Sequence, residues 1–454
     1  MKSIVYFFSI TYGIILTLSV VWFLLSFMEY RKYNPSKLSC TEERSKFYPY
    51  ERLDYGRVCF SHLFIGAIIY SPFRIMIFMV CAIFTLIILL FLNILDKLLP
   101  ANSLWIYKYI HSLTIRFIGY FTLYVFGATK IFHYSILLES GNNNTLFYKV
   151  ETIKNCPPMD KVVTIVSNHI SILDILFFLK YIPCNFVARN EIRKSAIFSL
   201  VADTIGCIYV DRNCAETRKY ARKVICNQQH LRFSFINKIN KVGYLSYSDT
   251  LKLNTSFCST KSIQRHFTYK YELPLVIFPE GTTSNGSDII PFKVGAFESL
   301  LPIQPVVLSY KSSFVSPAYD ILPFWVLLSL LLCNTGTITI SAFWLPHTNP
   351  VNNNKSPTSV YKFSEDVRSI MSYILKSLNN IDLTVNKEYI LMVPYTHLYS
   401  SKLKHHVECL HIEDNNYLES KLASKIGSGL NQGLSENTSS LRLKHEYIRK
   451  LKDS

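Results

Sequence analysis

Two stretches without a single charged residue, 4–28 (IVYFFSITYGIILTLSVVWFLLSFM) and 75–95 (IMIFMVCAIFTLIILLFLNIL), restrict this chain more than any other feature. At a helical rise of ~1.5 Å per residue the shorter run reaches about 31 Å, the thickness of a bilayer's hydrocarbon core. Both are predicted to be membrane helices. The first is too long for a cleaved signal peptide, and no small-residue cleavage site follows it. Between the runs lie eight Lys and Arg, at 31, 32, 37, 44, 46, 52, 57 and 74, which mark residues 29–74 as a cytosolic loop.

Composition narrows the partners. Forty-eight Lys and Arg against 31 Asp and Glu give +17, which favours anionic head groups or a phosphorylated substrate. A nucleic-acid binder fits the charge but leaves the two apolar runs unexplained, so no nucleic acid is expected. The eleven cysteines form no CxxC pair and are odd in number, which predicts reduced thiols rather than a disulfide framework or a metal site.

Residues 104–138 are aromatic and apolar with sparse cations at Lys108, Arg116 and Lys130, and are predicted to lie at a lipid interface. From about 145 the pattern changes. Short β-branched runs (162–167, 205–210, 273–278, 303–308) alternate with helical stretches, which predicts an α/β sheet covered on both faces. The 13-residue run 321–333 is read as a core or membrane-dipping segment, and GTITISAF after it as a strand. The expected domains are a membrane-anchoring region 1–140, a catalytic domain 141–400 with a polar insert at about 226–270, and a polar tail 401–454.

Two segments carry chemistry. In Ser167-Asn168-His169-Ile170-Ser171-Ile172-Leu173-Asp174 a histidine and a carboxylate stand where a strand ends and an apolar helix begins. Within one regular helix, five residues would turn them about 140° apart, so His169 has to sit at a bend before the helix for the pair to meet. Asp174 would then accept from one ring nitrogen and leave the other to take a proton from a hydroxyl. Taken alone, a capping or core histidine is the other reading. The second segment, Phe278-Pro279-Glu280-Gly281-Thr282-Thr283-Ser284-Asn285-Gly286, again follows an apolar strand; taken alone it is a generic turn.

Together, in this order and about 110 residues apart, NHISILD and FPEGTTSNG resemble the glycerolipid acyltransferase family, whose motifs NHxxxxD and FPEG are both complete here. Gly206-Cys207-Ile208-Tyr209-Val210-Asp211-Arg212 and Ile303-Gln304-Pro305-Val306-Val307-Leu308 resemble the family's other two motifs. The stretches 291–297 (PFKVGAF) and PIQPVVLSY look most like the lysophosphatidylcholine and lysophosphatidylethanolamine acyltransferase branch. Thr283 stands where the phosphatidic-acid-forming branch usually has Arg.

The resemblance implies an α/β fold with a mostly parallel central sheet flanked by helices, like that of glycerol-3-phosphate acyltransferase, behind N-terminal membrane helices. It implies acyl transfer from acyl-CoA, as co-substrate and without a cofactor, to the free hydroxyl of a lysophospholipid. Glycerol 3-phosphate as acceptor, or a non-catalytic lipid-binding protein on the same fold, are the alternatives. His169 is implied as general base and Asp174 as its orienting partner. Asn168, Arg212, Glu280, Gly281, Thr282, Thr283, Arg189 and Lys293 are the implied substrate-binding residues. Two full crossings would put the domain out of reach of cytosolic acyl-CoA, so the second apolar segment is expected to be re-entrant or confined to one leaflet. The last residues, Lys450 to Ser454, resemble a KxKxx retrieval signal, which implies the endoplasmic reticulum membrane with the catalytic domain facing the cytosol.

Overall fold

The computed structural model describes residues 2–34, 47–98, 104–140, 146–211, 215–242, 272–350, 357–379 and 388–392. The first apolar run lies in helix α1 (Lys2–Tyr30) and the second in α2 (Phe60–Leu98). Both are long and apolar enough to cross a membrane, and most of their side chains face outward, among them Ile14, Leu18 and Leu25 of α1 and Val80, Ile83 and Ile87 of α2. α2 has 39 residues and starts 15 positions before the charge-free run. Pro72 removes one backbone donor inside it, and the helix runs on through that position.

The N-terminal helices are fastened to the rest of the molecule. Ser19 Oγ donates to Ala67 O across α1 and α2 at 2.9 Å. Helix α3 (Leu104–Val125) follows, with Trp105, Tyr109, Tyr120 and Tyr124 exposed along one side. The predicted interfacial segment is therefore only partly helical. Residues from Lys130 onward form a strand, β1 (Lys130–Ser140), in which Tyr134 and Ile136 are buried. The alternation of β1 is masked in the sequence by the aromatics on both of its faces.

The remaining elements are β2 (Leu146–Ile153), β3 (Thr164–Ser167), α4 (Leu173–Tyr181), β4 (Asn185–Arg189), α5 (Ala196–Ile205), β5 (Ile208–Val210), α6 (Ala215–Val242), β6 (Leu275–Ile277), β7 (Ile303–Ser312), α7 (Phe324–Cys333), β8 (Ile338–Trp344), α8 (Pro357–Asn379) and β9 (Glu388–Met392). The four strand signals of the catalytic region and the GTITISAF strand all appear. The polar piece assigned to an insert from 226 is helix as far as Val242; the rest of that piece, 243–270, and the tail 401–454 lie outside the described residues. The 321–333 run contains α7, whose Leu327, Leu330 and Leu331 are fully buried, so it is a core helix.

Strand order is β5-β4-β6-β3-β7-β8-β1-β2-β9. From β5 to β7 every pairing is parallel, whereas β7 pairs β8, β1 pairs β2 and β2 pairs β9 antiparallel, so the sheet is mixed. Period-two alternation sends Ile165, Val306 and Leu308 into one core with Phe177 and Phe178 of α4, and Val166 and Val307 into the opposite core with Val367, Met371 and Ile374 of α8. Burial on both faces explains why the strands read as continuous apolar runs.

α7 also anchors α2. A Cβ on Gly66 would lie 1.8 Å from Cys333 O, so only glycine permits this crossing. Arg74 Nη1 donates to Leu331 O, Leu332 O and Asn334 O at 3.2, 2.9 and 2.7 Å, satisfying carbonyls that the end of a helix leaves open. Arg74 is thus a helix cap rather than one more cation of a cytosolic loop.

Candidate active site

The parallel strands β3, β4 and β6 release their chains at the same edge of the sheet, the usual place for ligands in an open α/β sheet. After β3, Asn168 extends the pairing with β7 through its side chain. Its Nδ2 donates to Leu308 O at 2.9 Å, and its Oδ1 accepts from Leu308 N at 2.8 Å. Asn168 is buried, so it splints the strand end and is not placed to meet a substrate as the sequence reading expected.

The next three residues make the bend that the helical geometry required. His169 N donates to Glu280 Oε1 at 2.7 Å and His169 O accepts from Ser284 N at 3.0 Å. Ile170 O accepts from Tyr319 N at 2.8 Å, and Ser171 Oγ donates to Pro317 O at 2.6 Å. The bend is therefore locked by two loops. Asp174, in the first turn of α4, reaches back across it: Oδ2 accepts from His169 Nδ1 at 2.8 Å, Ile170 N at 2.7 Å and Ser171 N at 2.9 Å. The carboxylate has no exposed surface, whereas the His169 side chain keeps 19% of its own. Phe278 stacks on the imidazole at 4.2 Å and 15°. With Nδ1 donating to the carboxylate, Nε2 carries the lone pair that can take a proton.

The FPEG turn follows β6. Glu280 is buried, with Oε1 on His169 N and Oε2 accepting from Ile290 N at 3.1 Å, so it joins two backbone segments instead of lining the acceptor site. Burial pushes its carboxyl up to about 8 against the pull of those two N–H groups. Because the folded state holds this proton up to a higher pH than the unfolded chain, its contribution to stability falls as pH rises from the ordinary carboxylate range through about 8. Thermal unfolding of Glu280→Gln is expected to lose that slope between pH 5 and pH 8, over roughly the interval separating the two pKa values; a variant with the wild-type slope would show that the proton resides elsewhere.

Gly281 has φ +71°, and a Cβ there would meet Lys293 Nζ at 2.6 Å. The Lys293 side chain thus lies directly over the glycine, bringing a cation to the turn. Thr282 is buried, and Thr283 turns inward, its hydroxyl donating to Tyr319 O. Thr283 therefore braces the 313–321 loop and is not placed to read an acceptor head group. Arg189 ends β4, two strands from β3, and is exposed. Arg212 lies outside the described residues.

Two further residues at the site were not among the expected site residues, although one of them, Tyr310, closes the PIQPVVLSY stretch. Tyr310 of β7 donates its hydroxyl to Asp174 Oδ1. Arg52, counted among the loop cations by sequence, is completely buried: Nε meets Asp54 Oδ1 at 2.7 Å, Nη1 meets Asp320 Oδ1 at 3.3 Å and Ala318 O at 3.1 Å, and Nη2 donates to Ser316 O at 2.9 Å. Its loop also holds the FPEG turn, because Asn285 N donates to Pro49 O and Asn285 Nδ2 to Glu51 O, at 2.8 and 2.9 Å. Two loops that position His169 are thus tied to the segment between α1 and α2.

A bend-held imidazole oriented by a buried carboxylate, at the carboxyl edge of parallel strands, is an arrangement that can take a proton from a hydroxyl. Residues 147–309 match the model of the Acyltransferase family. The lysophospholipid acyltransferase LPEAT1 of Arabidopsis thaliana is 26% identical over 208 residues, covering 46% of this chain and 43% of the relative. The lysophosphatidylcholine acyltransferase 2 of Danio rerio is 36% identical over 108 residues, covering 22% of this chain and 19% of the relative. The chain thus spans less than half the length of either. Among solved structures, the 1-acyl-sn-glycerophosphate (LPA) acyltransferase PlsC of Thermotoga maritima aligns with a TM-score of 0.36 and 14% identity, over 68% of this chain and 99% of its own.

Proposed function

We propose that this protein is a membrane-bound acyltransferase that moves a fatty acyl group from acyl-CoA to the free glycerol hydroxyl of a lysophospholipid. The observation that carries the reading is the His169–Asp174 pair, 2.8 Å apart, inside the segment shared with the acyltransferases. His169 Nε2 takes the proton of the acceptor hydroxyl as its oxygen forms a bond to the thioester carbonyl carbon. The carbon–sulfur bond then breaks, and the proton passes to the departing CoA thiolate. Asp174 stabilises the imidazolium formed in between. Lys293 and Arg189 supply positive charge at the same edge for phosphate groups of either substrate. The outward apolar faces of α1 and α2 and the aromatic side of α3 would hold this edge at the lipid surface, the expected setting being the cytosolic face of the endoplasmic reticulum.

The test is an acceptor screen: membranes from a host lacking lysolipid acyltransferases, labelled oleoyl-CoA, and lysophosphatidylethanolamine, lysophosphatidylcholine, lysophosphatidic acid and glycerol 3-phosphate in parallel. Incorporation into the first two, lost in His169→Ala, is expected. Label appearing only with glycerol 3-phosphate would overturn the acceptor class, and no CoA release with any acceptor would overturn the activity. Because Thr283 faces inward, Thr283→Arg is expected to lower all acceptor activities together; a gain confined to lysophosphatidic acid would refute that placement.

A further inference from the structure

Asp174 has two oxygens and they are served unequally. Oδ2 receives the imidazole and two backbone N–H groups, while Oδ1, equally enclosed, depends on one side chain from a strand on the other side of β3's chain end. That side chain is Tyr310. It stands on β7 on the same face as Val306 and Leu308, the face turned toward α4, and it pairs in register with Ile340 of β8. Its place is set by both neighbouring strands, with β3 paired to β7 up to Val306 and the Asn168 splint fixing Leu308 just before it.

We propose that Tyr310 is a positioning residue of this site, its hydroxyl holding the Asp174 carboxylate in the orientation that presents Oδ2 to His169. This rests on the proposed acyl transfer for its kinetic consequences but not for its geometry. A buried carboxylate oxygen left without a donor would draw the group toward another partner and away from His169. The phenol is suited to the task because burial and the neighbouring carboxylate push its own proton loss well above the ordinary range, so it stays a donor. By sharing the negative charge it also limits how strongly Asp174 stabilises the imidazolium. The other ionisable groups around the pair are Glu280 beneath the bend, Lys293 over Gly281 and, behind Glu280, Asp288, which Lys376 of α8 neutralises at 2.6 Å.

The experiment compares wild type with Tyr310→Phe as full-length chain in detergent. Without the phenol hydroxyl, kcat is expected to fall about ten- to a hundredfold with the KM for acyl-CoA nearly unchanged, the size of a lost hydrogen bond to a charged group. The acid limb of the pH–rate profile should move up by about half a unit, because an unshared carboxylate holds the imidazolium more tightly. The second readout needs no turnover: NMR titration of the ring-labelled histidines, with the His169 resonance assigned by its absence in His169→Ala, should show the same upward shift. A wild-type kcat and acid limb would overturn the proposal. So would a loss of activity with an unmoved limb and an unmoved His169 titration, since a merely structural role predicts that result. If the wild type acylates nothing, the proposed function fails, and the His169 titration alone decides the role of Tyr310.

Discussion

Acyl transfer by His169→Ala is expected to fall by about three to four orders of magnitude with the fold intact, the range seen when a general base or a triad member is removed. The structure explains why chemistry and stability separate here. The ring is partly exposed and makes one hydrogen bond and one stacking contact, with Phe278. When it is removed, Asp174 Oδ2 still accepts from Ile170 N and Ser171 N, and Oδ1 from Tyr310, so no buried charge is stranded. The bend itself is held through the backbone of His169, which alanine keeps. Initial rates in null-host membranes, read beside the thermal midpoint of the purified chain, check both halves. Retention of a tenth or more of the wild-type rate would remove His169 from the mechanism.

Arg52→Met should do the reverse and act on the fold first. Arg52 and Asp54 have no exposed side-chain surface and Asp320 has 1%, so methionine would leave two carboxylates enclosed without their cation. Removing one partner of a buried ion pair costs about 3–5 kcal/mol, while replacing every charged member can be nearly neutral. The single variant is therefore expected to be destabilised by that amount, and Arg52→Met combined with Asp54→Asn and Asp320→Asn by clearly less. The neighbouring Arg57, whose exposed side chain donates to Ser312 O at 3.2 Å, serves as the control. A loss in Arg52→Met no larger than in Arg57→Met would show that the cluster does not hold the loops. Since this cluster fixes the 313–321 loop, and that loop fixes Ile170 and Ser171, surviving protein should also show a lowered kcat.

Much of this was legible in order of residues, because the signals were local. The charge-free runs became α1 and α2; the short β-branched runs became β3, β5, β6 and β7; and the five-residue spacing of His169 and Asp174 required a bend that the structure contains. Where the reading failed, a side chain's partner lay far away in the chain. Asn168 looked like a site residue and is bonded to Leu308, 140 positions on; Thr283 looked like an acceptor reader and is bonded to Tyr319. Arg52 and Arg74 looked like loop cations, yet one is enclosed by Asp54 and Asp320 and the other caps α7. β1 was taken for an interfacial segment although its antiparallel partner β2 follows it directly in the chain; its other partner, the parallel β8, lies far away.

Residue type and spacing by themselves determined which groups can do chemistry and which stretches cannot stay in water, since proton affinity and apolar length belong to the local chain. Only the tertiary structure decided which oxygen of Asp174 faces the imidazole, that Tyr310 serves the other, and that a segment between two apolar helices braces the catalytic bend. Those outcomes depend on satisfying buried polar groups across more than a hundred residues, and such a condition exists only once the strands and loops have been brought together.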